Sequence, residues 1–214
     1  MSIGVIAPSG DLKLRKTKTV RRAPIAWRIR NTMRPGYIKG WIAKHFVVPV
    51  ANWWGIMCAI AELELIKTLP TGEQIHYGVV GYRVVTDAGV AYIVDDFDNA
   101  AGSADVSLFN FHGVGTGTNA EAVGDTALQT ESTTILTVNS VRATGTRSQP
   151  AANQFRSSGA VSFDGSGAIT EHGLFTDADV SEGTLLDRTV FSAVNMVSGE
   201  TLTCQYTITF TAGS

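Results

Sequence analysis

The chain has 214 residues, 44% apolar and only 17% charged, enough for a sizeable core in one domain. Its net charge of −2 hides a division: residues 1–45 hold eleven of the seventeen Lys and Arg and a single acid, Asp11, so this segment is at +10 and the remainder at −12. The opening MSIGVIAPSGDLKLRK lacks the basic region, apolar stretch and small-residue cleavage site of a signal peptide, so secretion by that route is not expected.

Residues 1–45 are polar and basic with few large apolar side chains, which predicts an extended arm that forms no core of its own and is dispensable for folding of the body. Its candidate partner-binding residues are the cations Lys13, Arg15, Lys16, Lys18, Arg21, Arg22, Arg28, Arg30 and Arg34 and the interleaved aromatics Trp27, Tyr37 and Trp41. Clustered cations suit phosphates, whereas aromatics beside proline suit docking into grooves on protein partners. The protein-partner reading is favoured, with weak, salt-sensitive DNA contact as its alternative.

From Phe46 to Ile66 the chain reads FVVPVANWWGIMCAIAELELI, and Pro49, Asn52, Gly55, Glu62 and Glu64 interrupt it below the ~18 apolar residues that a membrane span requires. A hydrophobic helical segment over 46–68 is expected, starting near Pro49 and stopping at Leu69-Pro70-Thr71-Gly72. Trp53, Trp54, Ile56, Met57, Ile60 and Leu63 cannot all face one sheet, so this helix is expected either to be sandwiched in its own domain or to lie against a neighbouring subunit.

Strand patterns follow. Residues 75–85 and 90–94 flank Thr86-Asp87-Ala88-Gly89 and read as a hairpin. Further strands are expected over 107–112, 133–138, 156–163, 168–175, 185–190 and 202–210, with one or two helical turns near 122–131. Leu202, Cys204, Tyr206, Ile208 and Phe210 alternate with Thr203, Gln205, Thr207 and Thr209, as in a half-buried antiparallel strand. The expected fold is mainly β, an antiparallel β-sandwich or jelly-roll-like domain over 69–214. Cys58 and Cys204 lie far apart and read as two buried thiols in a protein assembled in a reducing cytoplasm.

Residues that could carry chemistry are scattered. The Gly-rich run Phe111–Thr118 lacks the Lys-Ser/Thr ending of a phosphate loop and reads as a loop whose glycines permit close backbone approach. Asp95, Asp96, Asp98, Asn99 and Asp105 form an acidic stretch without the central Gly and terminal Glu of a calcium loop, so a solvated turn is favoured over a cation site. His45, His76, His112 and His172 stand singly, with no zinc-binding spacing, and no G-x-S-x-G elbow occurs. No catalytic residue, metal ligand or cofactor is therefore nominated.

The strings VAYIVDDFDNAAGSADVSLFNFHGVGTGTNAEAVGDTALQTE and RATGTRSQPAANQFRSSGAVSFDGSGAITEHGLFTDADVSEGTLLDRTVFSAVNMVSGETLTCQYTITF together resemble structural proteins of tailed-bacteriophage virions. The most specific parts are H-G-x-G-T-G-T with G-D-T-A-L-Q-T-E, A-I-T-E-H-G-L-F, and L-L-D-R-T-V-F-S-A-V-N-x-x-S-G-E. The resemblance implies a non-enzymatic β-rich virion module with no catalytic residues to carry across. Related modules occur in capsid-associated and tail-associated proteins. The expectation is a capsid decoration or cement protein that binds the major capsid protein and copies of itself; a tail, neck or fibre-attachment protein is the alternative.

Overall fold

Proline placement divides the N-terminal region into short helices. In the computed structural model, which describes residues 19–98 and 104–213, a three-residue strand β1 (Val20–Arg22) leads through Pro24 into α1 (Ile25–Thr32). Arg34, held extended at φ −68° and ψ 137° ahead of Pro35, separates α1 from α2 (Pro35–Ile42). A widened π-type turn, Ala43–Val47, then joins α2 to α3 (Val48–Trp53). Pro49 sits in the first turn of α3, and its missing N–H and its ring next to the preceding turn account for the widening. Residues 25–53 thus form a helical strap rather than the expected extended arm.

The helix expected over 46–68 ends at Trp53. Gly55, at φ +78°, turns the chain, and Cys58–Thr68 is a strand, β2. Two glutamates alternating with Ala61, Leu63 and Leu65 impose a period of two, which buries the apolar set and leaves Glu62 and Glu64 partly exposed. The β-rich body therefore begins before residue 69. β2 turns at Gly72 (φ +83°) into β3 (Gln74–Tyr82), so the hairpin partner of β3 lies upstream.

After the two-residue β4 (Val84–Val85), the expected second hairpin strand is instead α4 (Asp87–Asp98). The Thr86 hydroxyl caps it by accepting from the Gly89 N–H at 2.9 Å. Gly89 is buried and Tyr92 and Ile93 pack inward, whereas Val90, Val94 and Phe97 are exposed, a helical period that a five-residue apolar run does not reveal. The remaining strands are β5 (Phe111–Gly115), β6 (Ala143–Ser148), β7 (Gln154–Ser162), β8 (Gly167–Phe175), β9 (Leu185–Met196) and β10 (Thr201–Thr211). Residues 106–108 form a 3-10 turn, and 133–138 contributes a single bridge, Leu136 to Phe163, instead of a full strand. Residues 122–131 form turns and no helix.

The fold is mainly β. The ladder is one continuous mixed sheet in the order β1-β3-β2-β10-β7-β6-β5-β8-β9-β4, mixed because β1 runs parallel to β3 while the other pairs are antiparallel. The join between β5 and β6 consists of two residue pairs, Phe111 with Thr144 and His112 with Ala143. Both halves feed one core: Leu63, Leu65, Val80, Val161 and Leu202 come from one half, Ile169, Phe191, Val194 and Met196 from the other. β9 is buried on both faces over most of its length, as expected for a strand covered by the core on one side and by α1 and α4 on the other. Cys58 and Cys204 are free; on β2 and β10 their register partners are Thr211 and Leu65, which keeps them apart, and Cys58 is only partly buried.

Candidate functional site

The strap's sequence decides which of its side chains serve the fold and which remain available. Helix α1 lies where β3 and β9, far apart in the ladder, come together; the Gly81 backbone abuts the Thr189 side chain there. Asn31 spans the two edges. Its Nδ2 donates to the Val80 carbonyl at 2.7 Å, and its Oδ1 accepts from the Ser192 N–H at 2.9 Å, so one carboxamide supplies both edges with the partner a strand would have given. Trp27 donates its indole N–H to the Ala193 carbonyl at 2.8 Å and packs edge-on to Tyr77, with ring centroids 4.6 Å apart. Ala23 is buried, and its N–H donates to the His76 carbonyl at 2.9 Å. Residues 23–31 are therefore part of the body's closure.

The nominated binding residues accordingly separate. Lys13, Arg15, Lys16 and Lys18 lie outside the described residues. Arg21 pairs with Glu73 at 2.5 Å, and the Arg34 guanidinium reaches the Phe191 carbonyl at 3.4 Å. Trp27 is committed to the seam and Tyr37 packs edge-on to Tyr82, so both are structural. Arg22, Arg28, Arg30 and Trp41 remain exposed, with Trp41 stacked on His45.

The exposed apolar surface extends well beyond the 46–66 segment. Ile25, Ile29, Met33, Ile38, Ile42, Phe46, Val47, Val50, Trp53, Trp54, Ile56 and Met57 are exposed together with Trp41. Trp53 and Trp54 reach 76% and 72%. No acid occurs between residues 19 and 61, while seven Lys and Arg do. The all-round apolar character of 46–57 was the available signal, and of its two expected explanations the sandwiched helix does not hold. No helix among the described residues is long and apolar enough to cross a membrane.

Inside the body, histidines that looked isolated in sequence form one directed chain. Arg83 donates to His172 Nδ1 at 2.7 Å, His172 Nε2 lies 2.9 Å from His112 Nδ1, His112 Nε2 lies 2.8 Å from Ser157 Oγ, and Ser157 donates to Asn110 Oδ1 at 2.8 Å. A guanidinium only donates, so His172 Nδ1 must accept and His172 Nε2 must carry the proton; the same logic places a proton on His112 Nε2. Both rings are neutral. Burial, then the Arg83 charge, pulls His112 down to about 3; burial, Arg83 and His112 hold His172 well below its ordinary value. Arg83 also contacts the Asp187 carboxylate, and burial lowers its own pKa to about 10, which leaves it charged near neutrality.

The Ser157–His112 pair is not arranged as a nucleophile and base. Its histidine donates toward the hydroxyl, whereas activation needs an imidazole lone pair facing it. Gly145 and Gly159, cross-strand partners, press their backbones against His112 and Ser157, where any side chain would collide, so no substrate-sized space adjoins the hydroxyl. The histidines tie β5, β8 and β7 together.

Two further buried charges staple loops. Glu171, fully buried, accepts from the N–H groups of Gly117 (3.0 Å), Gln129 (3.0 Å) and Thr130 (2.8 Å) and from Arg188, which also holds Asp125. The Gly-rich run lies partly in β5, and its glycines admit this carboxylate against the backbone. Arg142 pairs with Glu131, donates to the carbonyls of Asp177, Asp179, Val180 and Glu182, and lies 3.4 Å from the centroid of the Phe175 ring. The acidic stretch is not a loop site: Asp95, Asp96 and Asp98 lie on α4, Asp105 caps the 3-10 turn, and Asn99 is outside the described residues. Among the described residues no three His, Cys, Asp or Glu side chains converge as metal ligands.

Comparison with known proteins finds no matching family model, no matching curated protein and no matching solved structure.

Proposed function

We propose that this chain is a non-enzymatic structural component of a tailed-phage virion, one that binds and stabilises the capsid as a decoration or cement protein through its N-terminal region. The observation that carries the reading is the surface of residues 21–57: thirteen large apolar side chains in water among seven cations and no acid, mounted on a body in which Arg83, Arg142 and Arg188 are consumed in buried staples. Such a surface is costly for a solitary chain and suits one that works while docked. The resemblance in β5, β8 and β9 to virion modules points the same way. The curled sheet, with both halves around one core, is read as sandwich-like, and the protein as assembling in the host cytoplasm before joining the particle.

The outward face of α1 is the part of the strap assigned to the shell, with Ile25, Ile29 and Met33 as apolar contacts and Arg28 and Arg30 as flanking charges. Protein rather than DNA is the favoured partner, because Arg21 and Lys44 are already paired with Glu73 and Glu62 while the apolar side chains have no use on phosphate. Co-sedimentation of the full chain with empty shells tests this. Ile29→Asp combined with Met33→Asp, both on exposed positions, is expected to weaken shell binding at least tenfold with the thermal transition unchanged. Equal binding by the variant would refute the reading. So would tight duplex binding with a log K against log salt slope of about −0.9 per phosphate across many phosphates.

A further inference from the structure

The end of the strap is built differently from its beginning. Trp53 and Trp54 project as an edge-to-face pair, centroids 6.4 Å apart, just before the turn at Gly55, against which the backbone of Gly213 packs. Nearby, under α4, the body has an apolar groove of about 510 Å³ lined by Ile93, Phe97, Phe109, Phe155, Ile208 and Phe210. Met57 borders this groove, so each copy's own chain runs past it while its two tryptophans remain outside.

Charge separates the two surfaces. The strap has no acid, and Lys39 and His45 lie exposed on it. The groove's helical wall carries Asp95, Asp96 and Asp98 and no cation, and the Arg147 on its rim is turned onto the Ser107 carbonyl at 2.8 Å. Apart from the outward face of α1, the ten exposed large apolar side chains from Ile38 to Met57 leave on the order of 1,000 Å² of apolar surface in water, comparable to the ~800 Å² that each partner contributes to a standard interface.

We propose that the Trp53–Trp54 pair of one copy docks into the groove beneath α4 of the next copy, head to tail, with strap cations facing the α4 carboxylates. This inference rests on the reading of the chain as a multi-copy assembly component and names the contact between copies. The two surfaces differ and occupy different places on one molecule, so the contact is heterologous: it propagates, and closes into a ring if the rotation per subunit permits. Indole pairs filling an apolar pocket are the side chains expected at the energetic centre of such a contact. The outward face of α1 stays free for the shell.

Light scattering and sedimentation of the full chain test it. Trp53→Ser with Trp54→Ser removes the knob, and Ser107→Trp, at an exposed position lining the groove, fills the hole. Wild type is expected to self-associate at micromolar concentration, each variant alone to associate at least tenfold more weakly, and an equimolar mixture of the two to give a dimer and nothing larger. A monomeric wild type, variants that assemble like wild type, or a mixture that forms no dimer would each overturn the proposal. Should either variant fail to fold by circular dichroism, Asp95→Lys with Asp98→Lys, on the exposed side of α4, serves instead; self-association indifferent to that reversal overturns the proposal too. Shell co-sedimentation run in parallel separates the two readings. Wild type that assembles but ignores shells refutes the virion function and leaves this interface standing, whereas monomeric wild type that binds shells does the reverse.

Discussion

Replacing Asn31 with Ala should open the seam between β3 and β9. The carboxamide is 1% exposed and makes two hydrogen bonds, to the Val80 carbonyl and from the Ser192 N–H, both to backbone groups that strand pairing does not satisfy. Each buried group left without a partner costs about 1–3 kcal/mol, so the substitution should lower stability by roughly 2–5 kcal/mol. Urea titration should show this as a lower midpoint with an unchanged slope, because the surface exposed on unfolding is nearly the same. Hydrogen exchange localises it: amides of β9 around Ser192 should lose protection, while those of β7 and β10 keep theirs relative to global stability. Asn31→Asp discriminates further. It keeps the acceptor for Ser192 but sets an oxygen against the Val80 carbonyl, and should lie well below wild type near neutral pH. A loss under about 0.5 kcal/mol for Asn31→Ala, with β9 protection intact, would refute the seam argument.

The buried histidines predict acid lability: with His112 lowered from 6.5 to about 3, the unfolded state binds more protons between those values, so stability is full above pH 6.5 and falls as pH drops toward 3. From about pH 8 to pH 5, His112 alone should remove about 2 kcal/mol, with His172 adding in the same direction, and His112→Gln should flatten this part of the profile measured by urea midpoint against pH. Glu171→Gln keeps an acceptor but leaves Arg188 without its buried charge partner; a loss of about 3–5 kcal/mol and new proteolytic cleavage within 116–131 are expected, and resistance equal to wild type would count against the staple.

The sequence by itself determined the quantities that depend on period and composition. β7, β8 and β10 were legible because apolar side chains or bounding turns mark a strand's own residues, and the charge division at the N-terminus was plain to count. Local pattern misread α4 and β2: Val90–Val94 is too short to separate a helical from a strand period, and the apolar run of 46–60 masked the alternation that begins at Ala61. β6 went unnoticed because its Thr, Gly and Ser residues carry no apolar pattern; it exists through pairing with β7 and room for His112. Tertiary structure alone decided the rest. Asn31 and Ser192, or Arg83 and His172, are brought together only when the sheet curls, and hydrogen bonding between residues that distant in the chain leaves no spacing to read. The same closure turned Trp27 from a presumed anchor into a seam residue. It also left Trp53 and Trp54 in water, because burial depends on which surfaces a fold has already used, and no single segment of sequence records that.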